Sequence, residues 1–212
     1  MKNLFFASLF AVSLNAQSVT DYVSVSGNPT GIAFDSQGTL FIGTESDYGI
    51  KKYPIGGSLT TIISGMNGQP RQLSFDSSGN LRVAFQALGS IKKIAPLTGT
   101  SISYPATYPF GIAEDPVYKN IFFTEEGTGV LSRFTPSTAS IANFSYNFLS
   151  PRGMVYDKNG NMYIATASGN EVLKLTPMGV ATTIIQNIPN PTYLAIDNDD
   201  NLKLNGKGGV LI

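Results

Sequence analysis

The sequence predicts an all-β fold, a five-bladed β-propeller of four-stranded antiparallel blades whose ring is closed by the N-terminal strand. Three observations carry that prediction. A proline followed by a short apolar run and an aspartate or its turn recurs five times, at Pro29–Asp35, Pro70–Asp76, Pro109–Asp115, Pro151–Asp157 and Pro191–Asp197. The prolines stand 41, 39, 42 and 40 positions apart, a spacing that marks blades or solenoid units. Within each unit, short apolar runs alternate and are bounded by Gly, Asn, Asp or Pro, which reads as strands joined by hairpins. The last unit is short of one strand, and a candidate for that strand stands near the N-terminus.

In chain order, Met1-Lys2-Asn3, the apolar run Leu4–Leu14 and Asn15-Ala16-Gln17 have the charged start, apolar middle and small-residue cut site of a secretory signal. Residues 1–16 are therefore expected to be removed, leaving a single propeller domain over 17–212 that is secreted, either extracellular or periplasmic. The apolar run is too brief for a membrane span, which needs about 20 residues. The first unit then gives strand a with Ile32 and Phe34 on one face, a turn at Asp35–Gly38, strand b at Leu40–Gly43, strand c at Ile50–Tyr53 and strand d at Leu59–Ile63. Strand b recurs from Leu81, Ile121, Met162 and Leu202, and strand c from Ile91, Val130 and Glu171. Both faces of strands a and b are apolar or small, so each sheet must be sandwiched, and radial stacking supplies a neighbour on both sides. Ala33, Ser74, Ala113 and Ala195 suit the crowded centre of such a ring. The fifth unit has room only for strands a, b and c. Thr20–Val23 precedes Pro29 by the same nine positions that separate Thr182–Ile185 from Pro191, so it is expected to pair with Gly209–Ile212 and remove an open edge. A truncated or open array is the rival arrangement.

Composition excludes several functions. The chain has no Cys and no His, which removes disulfides, thiol chemistry and any histidine base or metal ligand. Fourteen basic and fourteen acidic side chains balance, and the broad basic face that nucleic acid requires is missing. Neither nucleic acid nor a membrane is an expected partner. The aspartates that end the five phrases suggest turn capping rather than a metal ring, because Asp side chains satisfy turn amides at such hairpins. The tract Asp197–Asn201 lacks the glycine and distal Glu of a calcium loop. Lys52, Lys93, Arg133 and Lys174 fall one per blade and read as structural or solvated. Glu114 takes a place held elsewhere by Phe34, Phe75, Tyr156 and Ile196; next to a turn, it is expected to reach solvent.

The phrase PxGIAxD, a glycine-bearing turn, an apolar strand b and a strand c with a basic residue between apolar ones together resemble the NHL repeat, over Asn28–Ile212. The resemblance implies a propeller whose broader relatives include lyases using histidine and gluconolactonase-like hydrolases holding a divalent metal with Glu, Asn and Asp. One departure is that Thr44, Phe85, Glu125, Thr166 and Gly206 stand where the NHL pattern has an Asp closing strand b. The reading favoured from sequence is a binding module for a protein, glycan or small molecule, more an interaction protein than an enzyme. The alternatives are a metal-dependent hydrolase of gluconolactonase type and a component of an extracellular assembly that displays its rim. No cofactor is required, although Glu125 and Glu126 could contribute ligands to a calcium-like divalent ion.

Antiparallel blades bring the d-to-a and b-to-c loops out on one face around the channel mouth. The candidate ligand-binding residues are therefore Arg71, Tyr108, Phe110, Arg152 and Tyr193 from the first set, with Thr44, Glu45, Phe85, Glu125, Glu126 and Thr166 from the second. Aromatic, guanidinium and carboxylate groups around a concave mouth make a recognition patch.

Overall fold

The computed structural model describes residues 22–145, 147–197, 199–206 and 209–211. The first blade is β1 (Pro29–Phe34), β2 (Leu40–Thr44), β3 (Gly49–Tyr53) and β4 (Thr60–Ile63). The second is β5 (Pro70–Phe75), β6 (Leu81–Phe85), β7 (Ser90–Ile94) and β8 (Ser101–Pro105), and the third is β9 (Pro109–Glu114), β10 (Ile121–Glu125), β11 (Val130–Thr135) and β12 (Ser140–Ser145). The fourth comprises β13 (Pro151–Tyr156), β14 (Met162–Thr166), β15 (Glu171–Leu175) and β16 (Ala181–Gln186). The fifth holds three strands, β17 (Tyr193–Ile196), β18 (Leu202–Gly206) and β19 (Gly209–Leu211). Each sheet is an antiparallel meander with its strands in sequence order.

Each a-to-b hairpin is tied by the aspartate that ends the repeat phrase. Asp35 Oδ1 accepts the amides of Gln37 and Thr39, Asp76 those of Ser78 and Asn80, Asp115 those of Val117 and Tyr118. Asp157 holds Asn159 and Asn161, and Asp197 holds Asp199 and Asn201. The side chain thus satisfies turn amides that no strand partner can reach. In the second blade Asp76 also meets Arg82 at 2.9 Å, a buried pair.

Four apolar cores lie between successive sheets among the described residues. Phe41 and Ile50 meet Leu73, Val83 and Phe85; Ala84 and Ile91 meet Ile112 and Phe123. Phe122 and Leu131 meet Met154 and Ile164, and Ala165 and Val172 meet Leu194 and Leu204. The alternation of strands a and b explains this, since successive side chains serve opposite neighbours.

The glycines of the repeat phrase set how closely the inner strands approach. A Cβ on Gly31 would lie 1.9 Å from the Arg71 carbonyl oxygen, one on Gly111 2.3 Å from that of Arg152, and one on Gly153 2.6 Å from that of Thr192. Only a residue without a side chain fits there. The same register position is Gln72 in the second blade and Tyr193 in the fifth.

The pairing expected for 20–23 with 209–212 lies largely outside the described residues. Of its described part, Tyr22 and Val23 belong to no strand, and β19 pairs with β18. The Tyr22 ring meets Phe34 at 6.3 Å and Tyr53 at 5.8 Å, both in the first blade. From there the chain rises along that blade, and Lys51 Nζ donates to the Ser26 carbonyl at 3.0 Å.

Candidate functional site

Residues of the inner strands line a cavity of 1190 Å³ that extends from the starts of strands a, at Pro29 and Arg71, to their ends, at Phe34, Phe75 and Ile196. Its back wall is a side-chain bridge. Gln72 Nε2 donates to the Met154 carbonyl at 2.5 Å, and Gln72 Oε1 accepts the Met154 amide at 2.9 Å. The carboxamide therefore pairs with the edge of β13 as a neighbouring strand would, joining the second and fourth blades past the third. Phe110, Ala113 and Glu114 of the third blade line the two ends of the cavity, while Gly111 and Ile112 between them do not.

At the mouth the repeat brings polar groups from consecutive blades into one chain. Arg71 NH1 lies 3.6 Å from Glu45 Oε1, Arg71 Nε donates to Gln86 Oε1 at 2.7 Å, and its NH2 donates to Gln69 Oε1 at 2.7 Å. Gln86 Nε2 donates to Glu126, whose other oxygen accepts Arg152 Nε at 2.6 Å. Arg152 NH1 donates to Asn190 Oδ1 at 3.0 Å and Thr192 Oγ1 at 3.3 Å. Beneath the two arginines sits Phe110, buried, with each guanidinium carbon 5.6 Å from its ring centre. The ring quadrupole and the hydrogen bonds together fix both guanidinium planes. Tyr193 packs beside Phe110 at 5.4 Å between ring centres. Burial pushes its phenol up to about 12, against the pull of Arg71, so it is a neutral hydroxyl at physiological pH.

Of the sequence candidates, Glu45, Arg71, Phe110, Glu126, Arg152 and Tyr193 all line this cavity. The other five do not meet there. Thr44 is fully buried and bonds to Asp47 and the Gly49 carbonyl. Phe85 is fully buried in the core against the first blade. Glu125 braces neighbouring backbone by accepting from the Thr107 amide of the loop before β9, from Thr128 and from Ser132 of β11. Thr166 is buried and donates to the Glu171 carbonyl. Tyr108 is exposed away from the cavity; its φ of 49° matches the residues before other repeat prolines, Asn28, Ser150 and Asn190, each at 52°. There its role is backbone, because its carbonyl accepts the Glu126 amide.

Glu114, expected at solvent, instead reaches the second blade, where Oε1 accepts the Ser77 amide at 3.0 Å. The basic residues of strand c are half-buried; Arg133 lies over Phe144 and Lys174 over Tyr163. Sequence reasoning missed Gln72, Gln86, Asn190 and Thr192. Gln86 carried a signal, because it follows strand b as Glu45 and Glu126 do.

A calcium-like ion does not fit the mouth. Glu45 and Glu126 each face a guanidinium, Glu125 is engaged with neighbouring backbone, and among the described residues no group of three acidic side chains is placed to hold a metal.

No family model and no curated protein matches this sequence. Solved structures do. A virginiamycin B lyase from Staphylococcus aureus superposes with a TM-score of 0.70 at 22% identity, covering 83% of this chain and 62% of that one. A chain of a nidogen/laminin complex gives 0.80 at 18% identity, covering 89% and 76%. A gluconolactonase from Xanthomonas campestris gives 0.79 at 16% identity, covering 91% and 73%. The shared feature is the β-propeller fold. This chain spans 62% of the length of the lyase. Fold relatives thus include enzymes and a chain from a protein complex, and function rests on the site itself.

Proposed function

We propose that the chain is an exported five-bladed propeller of NHL-like repeats, closed by its N-terminal segment, that acts as a binding module through its channel mouth. The observation that carries this reading is the polar chain Glu45–Arg71–Gln86–Glu126–Arg152–Asn190, set around a buried Phe110 at the opening of a large cavity. Polar groups fixed by one another before a ligand arrives lose little freedom on binding, which favours recognition. Each charged group of the mouth is paired with a neighbour yet stays partly exposed, an arrangement that suits recognition through hydrogen bonds.

The position of Tyr22 supports closure. It lies on Phe34 and Tyr53 of the first blade much as Ile63 of β4 packs against the second-blade core. Thr20–Val23, the segment expected from sequence, is thus proposed to complete the fifth blade along its outer edge, although Tyr22 and Val23 are not themselves in a strand.

Protein starting at Gln17 can be immobilised and exposed to the small-molecule and glycan fraction of the producing cells' medium. The variant carrying Glu126→Gln and Arg152→Gln keeps the mouth uncharged overall while breaking its ion pair. Compounds retained by the parent and released by that variant are expected; equal retention on both would refute the mouth as the binding face.

A further inference from the structure

Resting on the mouth reading, we infer that the ligand is an uncharged, elongated polyhydroxy compound, a neutral oligosaccharide. Three features of the cavity lead to it. The first is charge balance: two guanidinium groups and two carboxylates face the mouth, each cation beside one anion. Their side chains remain 19–32% exposed, so a ligand can reach them. An anion that took Arg152 from Glu126 would strand that carboxylate in a partly desolvated site, and a cation that took Glu126 would strand the arginine. A hydroxyl group does neither. It can accept from the guanidinium and donate to the carboxylate of the same pair, because it carries both functions. Rows of hydroxyls match a rim on which donors and acceptors alternate.

The second feature is the planarity and rigidity of the polar set. Arg71 is held by Gln69 and Gln86, and Arg152 by Glu126, Asn190 and Thr192, both over the Phe110 ring. Fixed planar groups discriminate hydroxyl positions at little entropic cost. The third is the shape and lining of the cavity. It runs the length of six-residue strands, about 16–20 Å at 3.3 Å per residue, which is several sugar rings rather than one. Tyr193 stands near the mouth, with Tyr156, Phe75 and the partly exposed Phe34 farther in. The Tyr193 ring offers an apolar face to the C–H groups of a sugar near the mouth, while Phe75 and Tyr156 are packed against the interblade cores and Phe34 against Tyr22.

The test is isothermal calorimetry of the full mature chain against cellotetraose, maltotetraose, laminaritetraose and mannotetraose, with tetragalacturonate and chitosan tetramer as charged counterparts. Sedimentation with the matching insoluble polymers is run in parallel; binding to polymer alone assigns the source as a surface glycan, and binding of the soluble tetramers assigns it as a free sugar. At least one neutral glycan is expected to bind, with affinity changing less than about twofold between about 0.05 and 0.5 M salt, since no net ion release accompanies it. Tyr193→Ala should weaken binding about tenfold or more, a loss of about 1.4 kcal/mol per decade, while Tyr193→Phe, which keeps the ring, should stay within a few-fold. Glu126→Gln should shift preference toward tetragalacturonate, a change that mere loss of packing would not produce.

Preference of the parent protein for a charged tetramer, absence of binding to every neutral glycan, or neutral binding indifferent to Tyr193→Ala would each overturn the inference. The mouth reading is separable from it. If sugars fail but another retained compound is lost in the Glu126→Gln, Arg152→Gln variant, only the ligand class is wrong.

Discussion

The bridge between Gln72 and Met154 makes a sharp prediction about stability, because two hydrogen bonds from one side chain connect strands 82 residues apart. Replacing Gln72 by Ala removes both partners. A typical net hydrogen bond contributes about 0.5–1.5 kcal/mol, so the pair contributes about 1–3 kcal/mol when water can reach the vacated groups. Met154 is fully buried in the parent, but both residues line the cavity and the space vacated by the Gln72 side chain opens onto it, so this range applies. For a domain of this size each kcal/mol shifts Tm by about 2–4 °C, giving an expected fall of about 2–12 °C. Gln72→Glu refines the test. A protonated Glu can still donate to the Met154 carbonyl and accept its amide, whereas the ionised form turns a lone pair toward that carbonyl. Its folded-state pKa should therefore lie above the unfolded value of about 4.3. The stability that this group contributes is present below that value and lost as pH rises through the folded pKa. Differential scanning calorimetry of both variants from acid to neutral pH checks this. A Tm for Gln72→Ala within about 1 °C of the parent, together with a Gln72→Glu profile parallel to the parent's, would show that the bridge contributes nothing.

Four further outcomes are expected. Gly111→Ala places a Cβ 2.3 Å from the Arg152 carbonyl oxygen and should destabilise by about 1–3 kcal/mol through overpacking, read from urea midpoints; a neutral effect would mean that the inner strands can part freely. Burial opposes ionisation of Asp157, but hydrogen bonds from Asn161, Tyr163 and the Asn159 amide outweigh it and hold the carboxyl below its ordinary range. Its contribution is thus present above the unfolded value of about 3.9 and lost as pH falls through the lower folded pKa, and Asp157→Asn should flatten the acid limb of the stability profile, a limb left unchanged in that variant contradicting it. Exported protein should begin at Gln17 by mass spectrometry, and deleting residues 17–26 should lower Tm and promote association through an exposed edge; a retained Met1, or an unchanged Tm and monomeric state, would remove the export or the latch reading respectively.

How much of this was legible in the sequence differs by position. The five prolines, the alternation within strands and the turn aspartates foretold the four complete blades, because hairpin register and turn chemistry are local properties. The mouth was legible at the residues after each proline, and less so at the ends of strand b. There, a period of two decides which side chain faces outward. Thr44, Phe85, Glu125 and Thr166 point between blades or toward neighbouring backbone, while the next residues Glu45, Gln86 and Glu126 point to the mouth. The departures from glycine at Gln72 and Tyr193 were visible as letters. Their meaning was not, because whether Gln72 can reach Met154 depends on the spacing between nonadjacent blades, a quantity set by packing of the whole array. Tyr108 looked like a ligand platform from composition, but it is exposed outside the cavity, and its carbonyl is what the fold uses, accepting the Glu126 amide.

The mouth formed by Arg71, Phe110, Arg152 and Tyr193 is the proposed ligand-binding face. A crystal structure of the mature protein with the compound retained in the immobilised-protein assay tests it most directly. Ligand density is expected within hydrogen-bond distance of Arg71 or Arg152 and against the Tyr193 ring. Density seated instead around the a-to-b turns at Asp35 and Asp115, or along the outer strands β8 and β12, would contradict it.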